Sequence, residues 1–202
     1  DSEIGGHVYD WLGQLGESPI HFLERLAERF DALFDVKDGN LIFAKRGTGQ
    51  SASGAALTPI VVTRGKLLEG TGRVRFSDRF AYKSVTAKFM DREKEDRNEV
   101  EEESDPENGE AVYRIRDQFA DEAEAKAAAK AKAKQLKRRQ ATFDCVINGD
   151  PAARAGAPLT FAVGRPGVDG LPFTIGTATH RYDKGGYVTT LSGESQDGQS
   201  SA

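Results

Sequence analysis

One segment constrains the fold most, because it predicts one capped helix that leads directly into a tight hairpin. This segment is residues 18–47, SPIHFLERLAERFDALFDVKDGNLIFAKRG. Ser18 is a good N-cap, and Pro19 suits the first helical position, where its missing N–H costs nothing. Apolar side chains then recur every three or four residues, which places them on one face of a helix. This set comprises Leu23, Leu26, Ala27, Phe30 and Leu33.

The hairpin is predicted from two apolar runs, 34–37 and 40–44, separated only by Asp38 and Gly39. An Asp-Gly pair between apolar runs is the strongest short-range hairpin signal, because the tight turns that connect two strands need positive φ. A segment rich in small residues, GTGQSASGAA, follows at 47–56 and is typical of a flexible connection.

Composition excludes several classes of protein. A formal net charge of −4 argues against a dedicated nucleic-acid binder. The single cysteine, Cys145, excludes an internal disulfide framework and a cysteine-rich metal site, and its apolar surroundings predict a buried structural thiol. No apolar run is long enough to span a membrane, and the first residues lack the pattern of a signal peptide. The missing initiator Met suggests a fragment or a processed chain.

Residues 57–194 are rich in strand patterns, with one helix among them. Alternating apolar and polar residues and glycine-rich turns indicate many short strands, which favours a small barrel or sandwich. The predicted strands lie at 58–64, 72–77, 82–91, 111–118, 141–149, 158–163, 171–183 and 186–194. The tail at 195–202 is too polar to pack, and residues 1–17 are glycine-rich and irregular.

The predicted helix at 121–139 begins with Asp121 as N-cap and Glu124 three residues later, a variant of the capping box. Seven lysines and arginines lie between 126 and 139, but the charges surround much of the helix and no aromatic residue interleaves for base stacking. We therefore expect an outer helix packed on the barrel by small residues rather than a phosphate-binding face. The expected stripe is Ala123, Ala127, Ala131 and Leu136.

The stretch 91–109 is unusually acidic, with ten carboxylates against three basic residues over 91–108. A calcium loop needs alternating oxygen ligands and an internal glycine, and this run has neither. A solvated insertion is therefore expected, with an electrostatic contact to a basic neighbour as the functional alternative.

Catalytic chemistry has no sequence signature here. The three histidines, which are His7, His21 and His180, are far apart in the sequence and show no metal-ligand spacing. The sequence also contains no nucleophile elbow, P-loop or dinucleotide motif. Asp144 and Asp150 flank one predicted strand, a common place for carboxylates. We expect no enzymatic activity, and no catalytic, cofactor-binding or metal-binding residue and no cofactor are assigned.

The ordered series of motifs resembles the phage late control protein D family, the hub proteins of contractile phage tails. The segments that carry the resemblance are FLERLA at 22–27, FDV at 34–36, DG at 38–39, LIF at 41–43, SVTAKFMD at 84–91, VYRIRDQF at 112–119, the alanine-rich helix, RPGVDG at 165–170 and the final hairpin. The order of these motifs carries the resemblance, and together they cover most of residues 18–194.

This resemblance implies an α+β, mostly β fold: a helix-hairpin element with its linker at 18–56, then a tube-like antiparallel β-barrel at 57–194 with outer helix 121–139. It also implies a structural role in the virion tail, after assembly in the bacterial cytoplasm, as a homotrimeric ring that joins the tail tube to the central spike. The expected partners are further copies of the protein and the tube and spike proteins, with no membrane and no specific nucleic acid, and the lumen is expected to let DNA pass. An N-terminal barrel would then be missing from this chain.

Three alternatives share some of these features: the hub domain of a type VI-like secretion spike, a tail-associated cell-wall hydrolase, and a sequence-independent DNA binder using Lys126–Arg139. The polar tail shows no β-helix repeat of the kind that a fused secretion spike carries. The sequence assigns no interface residue, and open strand edges are candidates on general grounds only.

Overall fold

A computed structural model describes residues 8–9, 12–37, 39–51, 53–91 and 96–196. The turn residue Asp38, the histidine His7, most of the N-terminal segment and the end of the tail lie outside these residues. The chain divides into two compact units, with unit 1 built from 1–46 and 81–135 and unit 2 from 47–80 and 136–202. The elements in chain order are α1 Pro19–Arg29, β1 Ala32–Lys37, β2 Asn40–Lys45, β3 Ile60–Thr63, β4 Arg73–Phe76, a 3-10 turn Asp78–Phe80, β5 Ser84–Asp91, β6 Asp96–Glu103, β7 Val112–Phe119, α2 Glu122–Arg139, β8 Ala141–Asn148, β9 Pro158–Ala162, β10 Phe173–Asp183 and β11 Gly186–Ser195.

Helix α1 and the β1–β2 hairpin form where the sequence predicts them, but the last two residues of the expected helical stripe lie beyond the helix, since Phe30 is its C-cap and Leu33 belongs to β1. The Ser18 side chain accepts a hydrogen bond from the His21 backbone N–H at 3.2 Å, which satisfies one donor of the first turn. The hairpin is antiparallel and in register from Ala32↔Lys45 to Lys37↔Asn40, and Gly39 adopts the positive φ of 75° that a tight turn requires.

Unit 1 also holds a three-stranded sheet in the order β6-β5-β7. The central strand β5 is antiparallel to β6 and parallel to β7. Strand β6 corrects the expectation of a solvated insertion at 91–109, because residues 96–103 of that stretch pair along the whole of β5. The pairing lays Val100 beside the buried Ala87, while Glu99, Glu101 and Glu103 remain exposed to water.

Helix α2 is capped as expected, since the Asp121 carboxylate accepts the Glu124 backbone N–H at 2.8 Å. Its packed face differs from the predicted stripe. Ala131 and Leu136 are buried, but Ala123 is exposed and Ala127 is only half-buried. The buried small residues at the start of the helix are instead three alanines at helical spacing, Ala125, Ala128 and Ala129. Alanines occur around most of this helix, so the spacing of small residues alone did not identify the face that packs.

Unit 2 is a six-stranded sheet in the order β3-β9-β10-β11-β8-β4. All its pairs are antiparallel except β3–β9, which is parallel in the register Ile60↔Leu159 to Thr63↔Ala162. Its core centres on three phenylalanine rings in edge contact, with centroids 5.2 Å apart for Phe143 and Phe173 and 5.6 Å apart for Phe143 and Phe161. The side chain of Cys145 is buried in the same core.

The fold class expected from the sequence is confirmed: the chain is mostly β, with a curled sheet that forms a half-barrel. Every predicted strand is present within two residues of its predicted start. The parallel pairs β3–β9 and β5–β7 are the difference from a purely antiparallel arrangement. In the part of the chain that the structure describes, no helix is long and apolar enough to cross a membrane.

Candidate functional site

Unit 1 contains a groove of about 250 Å³ between α1, β7 and α2. Charged side chains from all three elements line it, beside the aromatic rings of Tyr113 and Phe119. The charged members are Arg25, Glu28, Arg29, Arg116, Asp117 and Lys132. A groove of this composition could bind a polar ligand or serve as a rigid junction, and the internal contacts distinguish the two.

Those contacts favour a junction. Arg29 of α1 donates from Nη1 to Oε1 of Glu124 at 2.6 Å, and the two side chains are only 17% and 3% exposed. The Arg29 guanidinium also lies over the Phe119 ring, 5.5 Å from its centroid. The other carboxylate oxygen of Glu124 accepts the Ala120 backbone N–H at 2.9 Å. The buried carboxylate therefore holds α1 and the start of α2 together and has little capacity left for a ligand.

The rim of the groove is similarly occupied by internal pairs. Arg25 donates through Nη2 and Nε to the two carboxylate oxygens of Glu17, at 2.6 and 3.3 Å. This hydrogen bond lowers the pKa of Glu17 and raises that of Arg25. Lys132 lies over the Tyr113 ring at 5.1 Å and donates to Gln135. Burial, and after it the charge of Glu124, raises the pKa of Tyr9 to about 12.

A loop in unit 2 is organised by one carboxylate. Asp169 accepts the backbone N–H groups of Val163, Gly164 and Arg165 at 3.0, 2.6 and 3.1 Å. The Val163 bond is the largest of the effects that lower the pKa of Asp169. Asp169 belongs to the RPGVDG motif, so this motif specifies a loop conformation rather than a reactive group.

Among the described residues considered for catalysis, which exclude His7, none are brought together. His21 is on the surface of α1, while His180 contacts the Thr189 hydroxyl at 3.0 Å and the Ala153 carbonyl at 3.1 Å. Asp144 pairs with Arg75, and Asp150 with Lys66. Burial raises the pKa of the Cys145 thiol to about 12, as expected for a structural cysteine. Among the described residues, no three of His, Cys, Asp or Glu cluster closely enough to hold a metal ion.

Two basic residues of helix α2 make contacts within the folded chain. Arg138 is 8% exposed and donates to Glu194 at 3.0 Å, and Lys132 takes part in the groove. Lys126, Lys130 and Lys134 remain exposed on its outer face. Sequence reasoning did not find the Arg29–Glu124 pair, since no local pattern relates two residues 95 positions apart.

Comparison with known proteins gives the family of the chain. A model of the family described as phage tail baseplate hub (GPD) matches residues 3–186. The chain belongs to this family. The resemblance drawn from the ordered motifs is thereby confirmed, and the hub family places the chain among the structural proteins of the virion tail.

Two curated relatives are each named a probable baseplate hub protein. The hub protein of Escherichia phage P2 is 37% identical over 87 residues, which are 43% of this chain and 22% of the relative. That of Escherichia phage 186 is 38% identical over 79 residues, 39% of this chain and 20% of the relative. The matched region thus spans about a fifth of the length of these hub proteins.

Solved structures show the same fold at low sequence identity. The 43 kDa tail protein of prophage MuSo2 from Shewanella oneidensis superposes with a TM-score of 0.64 at 18% identity, over 89% of this chain and 55% of that one. The tail protein from Neisseria meningitidis MC58 gives 0.63 at 12% identity, over 91% and 56%. A chain of the native gene transfer agent virion gives 0.57 at 12% identity, over 87% and 38%.

Proposed function

We propose that this chain is part of a trimeric hub that joins the tube of a contractile phage tail to its central spike. Membership of the hub family over residues 3–186 is the observation that carries the proposal. In this role the protein acts through extended interfaces that close around an axis rather than through a pocket. The trimer, the tube contact and the spike contact are the specific parts of the proposal.

The chemistry of the described residues agrees with a structural role. The buried carboxylate of the unit 1 groove is bound to Arg29, and the thiol of unit 2 is buried with a raised pKa. The carboxylate is occupied by Arg29 and the Ala120 N–H, and the thiol, with a pKa of about 12, is protonated near neutral pH, so neither group is poised as a nucleophile or general base. We therefore propose that the chain is not an enzyme.

The mildly acidic charge also suits a protein that surrounds DNA in transit. A formal charge of −4 over 202 residues would let phosphate groups pass without tight retention, whereas a strongly basic lumen would hold them by releasing counterions. We propose that the assembled protein makes no specific contact with nucleic acid or with a membrane.

The test is the mass in solution of this chain and of a longer chain that includes the preceding residues, measured by light scattering over a range of concentrations. A trimer of either chain supports the hub, and for this chain it means about three times 21.9 kDa. Strict monomers in both cases would overturn the trimeric hub. Release of soluble fragments from purified cell wall by this chain would overturn the non-enzymatic assignment.

A further inference from the structure

The sheet of unit 1 ends in two open edges of opposite charge. Within the described part of the chain, β6 and β7 each pair with β5 and with no other strand. An unpaired edge presents backbone N–H and C=O groups that can accept a further strand. The question is which strand fits each edge.

Edge β6 is acidic. Five of its eight residues are carboxylates, and its only basic residue is Arg97. Glu99, Glu101 and Glu103 alternate along the strand and are all exposed. Their spacing of two residues places the three side chains on one face of the sheet.

Edge β7 carries two exposed basic residues, Arg114 and Arg116, and one exposed acidic residue, Asp117. Arg114 is in register with β5, while Arg116 lies two residues further along, within the irregular stretch of β7. The register joins the two edges through the central strand, since Thr86 of β5 pairs with Glu101 on one side and with Arg114 on the other. The acidic row and Arg114 therefore occupy the same face of one sheet, and Arg116 follows further along the same edge.

The strand directions permit these edges to meet between copies. Because β5 is antiparallel to β6 and parallel to β7, β6 and β7 run in opposite directions. A second copy placed beside the first by rotation can thus lay its β6 against β7 as an antiparallel strand. Such a contact joins two different surfaces, so each copy keeps one open edge and the series can close into a ring.

We propose that β6 of one copy adds to β7 of a second copy of this chain, with Glu101 and Glu103 facing Arg114 and Arg116. The proposal rests on the trimeric hub and specifies one of its contacts. The pairing uses the Val112–Arg116 part of β7, because α1 lies near the other part, where Arg29 covers the Phe119 ring. Like charges would meet if either edge paired with itself, so the charge pattern selects a head-to-tail ring over a two-fold dimer.

Charge reversal at each edge tests the contact. The β6 variant is Glu101→Lys with Glu103→Lys, and the β7 variant is Arg114→Glu with Arg116→Glu. The combined variant carries all four changes and keeps the formal charge of −4. Lys126→Glu with Lys130→Glu on the exposed face of α2 is the matched control, because it changes the net charge as much as the β7 variant does.

Light scattering and sedimentation equilibrium on this chain and on the longer chain give the association constant of each variant, and circular dichroism confirms that each is folded. We expect each single-edge variant to associate at least about tenfold more weakly than the wild type, since like charges then face one another. The combined variant should recover most of the association, and the α2 control should match the wild type. Raising the salt concentration should weaken association of the wild type, as for exposed charge pairs.

Each other result is decisive. If the wild type associates and neither edge reversal alters its association constant, the β6–β7 pairing is wrong while the trimeric hub stands. Weakening by both reversals with no recovery in the combined variant would also overturn the pairing, because complementary charges would again face one another. If neither wild-type chain associates at any concentration, the pairing and the trimeric hub both fail.

Discussion

Removal of the buried Glu124 carboxylate should destabilise unit 1 by about 3 kcal/mol. Glu124 is 3% exposed and accepts two hydrogen bonds, from Arg29 Nη1 at 2.6 Å and from the Ala120 N–H at 2.9 Å. A bond to a charged group contributes about 1.5–3 kcal/mol and a backbone bond about 1. Loss of one partner of a buried pair typically costs 3–5 kcal/mol. Arg29 keeps 17% exposure, so Glu124→Ala should fall at the lower end of that range.

A double-mutant cycle with Arg29→Met isolates the pair from the loss of packing. Urea unfolding followed by circular dichroism gives the free energy of unfolding of each variant. We expect a coupling energy of about 1.5 kcal/mol or more between Arg29 and Glu124. The exposed Glu122 in the same helical turn is the control, and Glu122→Ala should cost only the helix-end term of about 0.5 kcal/mol. Additivity of the two substitutions within about 0.5 kcal/mol would refute the role given to this pair.

Four further outcomes follow from other parts of the fold. Glu124→Gln should lower the pKa of Tyr9 from about 12, because it removes a nearby negative charge and leaves the positive charge of Arg29 in place. An absorbance titration of the phenolate, with Tyr9→Phe as the reference, measures this pKa, and an unchanged value would contradict the prediction. Gly193→Ala should lower the free energy of unfolding by about 2 kcal/mol, because a Cβ there would overlap the Thr174 carbonyl and approach the Phe143 ring to 2.6 Å. Gly65→Ala is the matched control, since a Cβ at Gly65 would enter open space, and equal effects of the two substitutions would contradict the prediction. Cys145 should resist thiol reagents at pH 8 in the folded protein and react once it is unfolded, because its pKa is about 12; rapid native labelling would show an accessible thiol. Asp169→Asn should accelerate amide exchange at residues 163–165, and exchange equal to that of the wild type would contradict this. Because the folded pKa of Asp169 is lowered, the protection that its carboxylate gives should be present above about pH 4 and should disappear as the pH falls through the folded pKa.

Local signals predicted much of the fold. The Ser18 cap and the β1–β2 hairpin depend on residues a few positions apart, and both formed where expected. The apolar stripe of α1 is shorter than predicted, because the helix ends at Arg29. The strands of unit 2 likewise carry alternating apolar residues, as in β8, whose exposure alternates strictly along residues 141–147. The RPGVDG motif carried part of the family resemblance, but the three N–H groups that its aspartate binds were not predicted.

What could not be predicted depends on distant partners. Strand β6 is rich in glutamate, which is uncommon in strands, and it forms because the edge of β5 accepts it. The packed face of α2 was assigned wrongly at Ala123 and Ala127, because alanine and lysine alternate around the helix without a clear apolar stripe. The candidate site follows the same rule, since the Arg29–Glu124 pair joins residues 95 positions apart.

The parallel pairing of β3 with β9 has a consequence for synthesis on the ribosome. Ile60 of β3 pairs with Leu159 of β9, so β3 leaves the exit tunnel about a hundred residues before its neighbour. At about 5–20 residues per second, β3 waits on the order of 5–20 seconds with its backbone unpaired. Unit 1, whose second segment ends at Gln135, can fold completely during this interval. Brief chaperone protection of the nascent β3–β4 region should therefore raise the yield of folded protein more than protection of the completed chain.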